Sequence, residues 1–353
     1  MNAVTPVSRE ALRGKAQTVT GLVAPDTLGR TLMHEHLQIE LNPPRLRAEP
    51  VGGDVPMPIC DCFDIRWGSA YRPLNFRLND RELARRELSK LLDAGGTTLV
   101  ELTVGGLGPK PDILAELAHA TGVNIVMGCG HYVEEYHDPA NTGRGVEAFA
   151  REIIDQITVG AWGTPIRAGI IGEIGCQSPW TSQERRVLQG ALIAQAETGA
   201  SLNVHPGRAA DQPREVAEFA RAAGAPMDRV IISHIDRTIF DADRLLRLAD
   251  TGVVIEFDLF GWEESYYFPN PDIDMPNDGA RLRWLRLLRD HGHLERILIS
   301  QDICTRSRLL AYGGHGYGHI FRNVVPLMLR RGFSEDEVET ILVRNPRRLL
   351  TFV

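Results

Sequence analysis

His34-Glu35-His36 places two imidazoles two residues apart. In an extended strand successive side chains alternate faces, so His34 and His36 point the same way and can grip one cation, while Glu35 faces the other side and reads as structural. Further along the chain stand Glu173 in Gly172-Glu173-Ile174-Gly175, His205 in Asn203-Val204-His205-Pro206-Gly207, His234 in Ser233-His234-Ile235-Asp236, and Asp302 in Ser300-Gln301-Asp302. Four imidazoles and two carboxylates suit zinc or a similar borderline ion, and they exceed what one four-coordinate zinc with an open position requires. The set implies two divalent metal ions, bridged by a carboxylate.

Residues so far apart in sequence meet only if the fold gathers them. Short apolar runs occur at Thr31 to Met33, Thr97 to Leu102, Asn124 to Met127, Ala168 to Ile171, Ser201 to Val204, Val230 to Ile232, Val253 to Phe257 and Ile297 to Ser300, which makes eight strand candidates. Each is followed by a segment of helical periodicity: Asp80 to Asp93, Pro111 to Thr121, Gly145 to Val159, Ser182 to Thr198, Arg214 to Ala223, Ala242 to Asp250, Asp278 to His291 and Ile320 to Arg331. Gly95, Gly122, Gly199, Gly224 and Gly252 stand where helices end before the next strand. Alternation predicts a parallel sheet wound with helices, and eight units favour a closed α/β barrel, a (β/α)8 TIM barrel, over an open sheet. Each of the six chemical residues then ends a strand, on the C-terminal rim where such barrels work. Gln17 to Val23 and Thr27 to Arg30, split by Pro25-Asp26, read as an N-terminal hairpin. The long loops Asn42 to Phe76 and Leu259 to Asn277, rich in proline and aromatic residues, read as lids.

A chain of 353 residues fits one domain, 1–353, once barrel loops are extended. Hydrophobic residues at 43% and charged ones at 24% are ordinary for a globular protein. The net charge of -7 argues against a nucleic-acid partner and favours a small-molecule substrate. The five scattered cysteines read as reduced thiols, and no segment resembles an export signal or a membrane span, so a cytoplasmic protein is expected, with homo-oligomers left open.

For the substrate, Phe260, Trp262, Tyr266, Tyr267 and Phe268 could line an apolar pocket. His131 and Tyr132 after the third strand, and His315 and Tyr317 after the eighth, lie on the same rim. His119, His137, His291 and His293 read as surface or capping residues, and Cys60-Asp61-Cys62 lacks the second pair that a structural zinc requires.

The chain resembles the phosphotriesterase family of the amidohydrolase superfamily over nearly its whole length. The resemblance rests on Thr18-Val19-Thr20-Gly21, Leu28-Gly29, His34-Glu35-His36, Gly95-Gly96-Thr97-Thr98, Gly172-Glu173-Ile174-Gly175, Ser233-His234 and Asn345-Pro346-Arg347-Arg348, in that order. It implies a buried ion held by His34, His36 and Asp302, a more exposed one held by His205 and His234, and a carboxylate bridge. Glu173 stands where many members carry a carboxylated lysine, so this chain is similar to the Glu-bridged branch. Two ions sharing a water lower its pKa toward neutrality, and Asp302 is placed to take up the proton lost on attack. The resemblance implies hydrolysis of an ester-like bond, carboxylic ester or lactone first and organophosphate triester as a side activity. Similar lactonases carry Arg after the Asp that matches Asp258; here Leu259 follows. A phosphodiesterase or phosphatase, using Arg208, Arg237 or Arg306, is the alternative within enzymes. A non-catalytic small-ligand-binding protein on the same barrel, of the resiniferatoxin-binding-named kind, is the alternative outside them.

Overall fold

A computed structural model describes residues 6–47 and 57–353. Eight parallel strands form the barrel: β1 (Thr31–Glu35), β2 (Thr98–Glu101), β3 (Asn124–Met127), β4 (Ile171–Gly175), β5 (Leu202–His205), β6 (Val230–Ile232), β7 (Val254–Phe257) and β8 (Ile297–Ile299). Regular ladders join β1 through β3 and β4 through β8. Isolated hydrogen bonds close the two seams. At one, the Asp302 amide donates to the His34 carbonyl at 3.0 Å, and the Ser300 hydroxyl donates to the same oxygen at 2.9 Å. At the other, the amides of Gly169 and Gly172 donate to the carbonyls of Met127 and Cys129 at 2.8 and 2.7 Å. A side chain at Gly128 would overlap the Gly172 carbonyl, so glycine is what lets the third and fourth strands approach there.

Side chains sort by strand period. Met33, Val100, Val126, Ile231, Val254 and Leu298 form one buried cluster inside the barrel. Their neighbours Leu32, Leu99, Ile125, Ile232, Ile255 and Ile299 join a larger cluster with helix residues such as Leu88, Ile153, Leu188 and Leu285. The strands are buried on both faces, which is why they read as apolar runs and not as alternating ones.

The helices that follow the strands are α1 (Arg81–Asp93), α2 (Pro111–Thr121), α3 (Val146–Thr158), α4 (Ser182–Thr198), α5 (Gln212–Ala222), α6 (Ala242–Ala249), α7 (Asp278–Asp290) and α8 (Val325–Arg330). Asp80 caps α1 by accepting from the Leu83 amide, and Thr181 with Glu184 forms a capping box on α4. The five glycines expected at helix ends all have positive φ. Among the described residues no helix is long and apolar enough to cross a membrane. All five cysteines are free thiols.

Three boundaries differ from expectation. The fourth strand begins at Ile171, where the apolar run ends, so Glu173 lies inside it and not at its end. The hairpin pairs Ala16–Thr18 with Gly21–Val23 and turns at Val19-Thr20, whereas Pro25–Thr27 is a single 3-10 turn outside the ladder. The last helix starts as a π turn over Ile320–Val324, because Pro326 cannot donate to the preceding turn.

Both expected lids cross the mouth of the barrel, although residues 48–56 of the first lie outside the described residues. The base of the first is pinned by antiparallel pairing of Ile39–Glu40 with Arg77–Leu78. The lids touch through Trp67 stacked on Tyr266 (centroids 5.7 Å apart) and Phe268 set edge-on to Phe76 (6.4 Å).

Candidate metal centre and substrate cavity

The register of β1 shifts between Leu32 and Glu35, and that of β4 between Ile171 and Ile174. Such irregularities re-aim side chains, and these two sit where the chain presents His34, His36 and Glu173. His234 (φ 56) and Asp302 (φ 46) occupy the left-handed region, which costs a non-glycine residue about 1–3 kcal/mol. Local bonds hold both. The His234 amide donates to both oxygens of Asp258 at 3.1 and 3.0 Å. The Asp302 carbonyl accepts from the Arg308 guanidinium at 2.6 Å.

These distortions bring all six expected side chains together. Glu173 Oε1 lies 3.5 Å from His36 Nε2. Its Oε2 lies 2.8 Å from His205 Nδ1, 3.3 Å from His234 Nε2 and 3.5 Å from His34 Nε2. Asp302 Oδ1 is 3.2 Å from His36 Nε2 and 3.9 Å from His34 Nε2. Three groups of donor atoms result: His34 with His36 and Asp302, Glu173 with His205 and His234, and His34 with His234 and Asp258.

The arrangement fits cations better than it fits itself. His34 is 0% exposed, yet neither ring nitrogen has a hydrogen-bond partner; Asp258 Oδ2 is 3.1 Å from its Nδ1 but out of line. A buried polar pair left so is costly unless something else satisfies it. His205 Nδ1 and His234 Nε2 stand 2.8 Å apart, nitrogen facing nitrogen. Burial, then the neighbouring His234, pushes His205 down to about 3, so its imidazole is neutral and offers a lone pair. Burial opposes ionisation of Glu173 and Asp302, but the surrounding imidazoles overcome it and hold both below the usual carboxylate range. Burial would lower His34 and His234, but Glu173 and Asp258 raise both above the usual imidazole value, so an ion binding there would displace a proton, whereas His205 and the carboxylates already have the ligating form.

Three acids behind the imidazoles were not legible in the sequence as site residues. Asp258 faces the Nδ1 atoms of His234 (2.9 Å) and His34 (3.1 Å), which turns their Nε2 atoms toward Glu173. Glu256 lies 3.6 Å from His34 Nδ1 and is itself held by Asn203 and Ser233. Glu101 accepts from the Thr103 hydroxyl at 2.6 Å, and that oxygen stands 2.9 Å from His36 Nδ1. A carboxylate on the far nitrogen is the usual way a ligating imidazole is oriented. Glu35 does not join the cluster. It accepts from Ser300, Gln301 and Ile303 at 2.8 to 2.9 Å and stitches β1 to the chain after β8.

Above this cluster opens a cavity of about 310 Å³, with His205, His234 and Asp302 in its wall. Of the expected substrate residues, Tyr132, Trp262 and His315 line it. Gly175 lets Tyr132 in, since a side chain there would overlap the backbone of Tyr132 and Val133. The Tyr132 ring packs edge-on to His205, with centroids 4.8 Å apart.

The other three do not reach the cavity. His131 turns toward α3, where it pairs with Glu152 at 3.1 Å and packs on Phe149. Phe260 is fully buried, with Arg281 over its ring. Tyr317 is also buried and donates to the His36 carbonyl at 2.6 Å, so it supports the site from behind. Tyr266 stacks between the lids without lining the cavity, while Tyr267 and Phe268 line it. Arg208 and Arg237 line the cavity; Arg306 does not, because its guanidinium binds the Arg77 carbonyl and Asn79. Arg308 lines it instead, its guanidinium 3.8 Å above the Trp262 ring. His137 is buried rather than at the surface, between the Tyr132 carbonyl and Gln183, and burial lowers it to about 4.

A TIM barrel with clustered imidazoles and carboxylates under a cavity at its C-terminal mouth defines a barrel hydrolase. The phosphotriesterase family model matches residues 14–350, and the chain belongs to that family. It is 43% identical to the N-acetyltaurine hydrolase of Bos taurus, over 97% of this chain and 99% of that one. Among solved structures, a resiniferatoxin-binding protein from Rhodobacter sphaeroides superposes with a TM-score of 0.89 at 32% identity, covering 98% of each chain. A PTE-like lactonase of Deinococcus radiodurans, in a substituted form, superposes with a TM-score of 0.74 at 28% identity, covering 95% of this chain and 99% of that one. The chain is a hydrolase.

Proposed function

We propose that this chain holds two divalent ions, zinc favoured, on His34, His36, Glu173, His205, His234 and Asp302, and that it hydrolyses the amide bond of a small N-acylated amine. The observation that carries the proposal is Glu173, whose two oxygens face different imidazoles beneath the cavity. The amide is favoured over the ester expected from the sequence because the relative matched over nearly the full length of both chains is named for N-acetyltaurine. When bound, the ions supply an activated water and polarise the scissile carbonyl.

The chain's own groups do the rest. Asp302 lies in the cavity wall in its ionised form, so it can take the water's proton and return it to the leaving amine, which departs poorly as an anion. The Tyr132 hydroxyl, held un-ionised by burial and then by nearby Glu173, is a donor in the cavity wall beside His205. Trp262 and Tyr267 close one side and limit water.

Ester or lactone hydrolysis, with organophosphate triesters as a side activity, is the second reading. The likeness to a lactonase supports it, and it needs the same site. Metal-loaded protein, with chelator controls, should be assayed against N-acetyltaurine, lactones, aryl esters, phosphodiesters and phosphotriesters. Chelator-sensitive release of acetate from N-acetyltaurine, faster than turnover of the other classes, is the expected result. A faster lactone or phosphodiester reaction overturns the amide assignment. One domain spanning the chain, a cytoplasmic location and a homo-oligomer belong to the same proposal, and are checked by limited proteolysis, fractionation and light scattering.

A further inference from the structure

Two arginines in the cavity wall carry charge that the protein does not neutralise. Arg237, on the loop after β6, is 2% exposed. Its guanidinium donates to the Pro206 carbonyl at 3.0 Å and the Thr238 hydroxyl at 3.3 Å, both neutral oxygens, and has no carboxylate partner among the described residues. Arg208, on the loop after β5, donates to the Tyr267 hydroxyl at 3.2 Å and likewise has no carboxylate partner among the described residues. A buried cation without a counter-ion is expensive, and Arg208, though itself exposed, adds a second positive charge beside Arg237.

The count of donors sharpens the point. His205 Nδ1 stands 2.8 Å from both Glu173 Oε2 and His234 Nε2; holding an ion there, as proposed above, leaves its proton on Nε2, which lies 3.3 Å from Arg237 Nη2 and 3.4 Å from the Tyr132 hydroxyl. His205 Nε2–H, both guanidiniums and the Tyr132 hydroxyl then converge on one side of the cavity with too few acceptors between them. Of the acidic residues of the wall, Glu263 accepts from the Asp278 amide and Glu264 from the Trp262 indole, while the Asp302 carboxylate stands 3.2 Å from His36 Nε2. Arg308, on the opposite wall, is bound to backbone carbonyls and stacked on Trp262.

We propose that Arg208 and Arg237, with Tyr132 and His205 Nε2, form an oxyanion-binding subsite that selects substrates whose amine half ends in a sulfonate or carboxylate. The subsite rests on the amide-hydrolase reading above and adds to it which end of the substrate is recognised, and by what. It adjoins His205, so an anion held there leaves the acyl carbonyl a short aliphatic spacer away, over the imidazole and carboxylate cluster. Guanidinium pairs match the oxygens of either anion in forked geometry.

The test compares three N-acetylated amines of equal length, ending in sulfonate, carboxylate or methyl, on metal-loaded wild type, Arg208→Met and Arg237→Met. Calorimetry with propane-1-sulfonate is run on the same proteins. Wild type should prefer an anionic substrate over the neutral one, and each variant should lose about 10- to 100-fold of that preference, mainly in KM. Propane-1-sulfonate affinity should fall by a similar factor. The sulfonate and carboxylate arms say which anion the site favours. Arg208 stands at the open mouth, so its variant keeps the test valid if Arg237→Met fails to fold. Equal turnover of all three amines by wild type, or a preference unchanged in both variants, overturns the subsite while leaving amide hydrolysis intact. Absence of amide turnover, with sulfonate binding that still falls in the variants, overturns the amide reading and leaves the subsite standing.

Discussion

Asp258 is shared by two histidines: its oxygens lie 2.9 Å from His234 Nδ1 and 3.1 Å from His34 Nδ1. Burial alone would favour the neutral acid, but the His234 and His34 imidazoles hold its carboxyl far below the usual range. One ionised carboxylate therefore favours a proton on Nδ1 of both residues, as a hydrogen-bond partner for His234 and by its charge alone for His34. Asp258→Asn removes the charge and keeps the shape. The expected outcome is a 10- to 100-fold weaker hold on divalent metal, with unchanged circular dichroism. Competition with a chromophoric chelator measures it, and wild-type affinity in the variant would show that these two tautomers do not need Asp258.

Glu173 is expected to act as the bridge. Elemental analysis of protein purified without chelator should give close to two divalent ions per chain, and bicarbonate should make no difference to reconstitution, because a glutamate needs no carboxylation. Glu173→Gln keeps the volume but removes the negative charge between two dications, whose repulsion is only weakly screened where Glu173 is 3% exposed. The variant should saturate at one ion. Tight binding of two would assign the bridge elsewhere.

Asp302→Asn tests the proton acceptor. The amide retains a ligand oxygen and can still accept from Arg308 and donate to His34 through its backbone, so the left-handed turn at this position should survive. Turnover should fall by about 10²- to 10⁴-fold, the usual cost of losing a general base, with a smaller change in KM. Near-normal kcat in a fully metallated variant would leave Asp302 a ligand only.

Much of this was legible in the sequence, for identifiable reasons. Parallel strands buried on both faces must be apolar throughout, so Asn124–Met127 and Val230–Ile232 were read at their observed bounds. Proline and a capping threonine fixed the starts of α2 and α4. His34, His36, His205, His234 and Asp302 stand out in the sequence because each follows or ends such a run, and the fold brings their side chains together. Glu173 stands out too, but its strand was read several residues early, since glycines at 172 and 175 break the apolar pattern while leaving the strand intact. Side-chain direction in the loops was not legible. His131 and Tyr132 are adjacent, yet one faces α3 and the other the cavity, a choice made by packing across the barrel. Asp258 left a faint signal: Glu256-Phe257-Asp258 repeats at the end of β7 the alternate spacing of His34 and His36.

His131 pairs with a carboxylate on α3 instead of facing the cavity. Glu152 on α3 receives His131 Nε2 at 3.1 Å and Arg144 at 2.6 Å. Burial would raise its pKa, but the bond to His131 and then Arg144 outweigh that and lower it from 4.5 to about 2. A carboxylate whose folded pKa is depressed contributes stability that is fully present above its unfolded pKa and is lost as pH falls toward the folded value. Wild type should therefore be more stable than Glu152→Gln at pH 7, and that difference should begin to shrink below about pH 4.5 and be largely gone near pH 2. The side chain is 30% exposed, so solvent screening keeps the gap below what the full shift would give. Urea midpoints of the two proteins across that range, taken on metal-free samples so that ligand protonation does not intrude, measure it. A gap that stays constant from pH 7 to pH 2 would show that Glu152 contributes through packing and not through its charge.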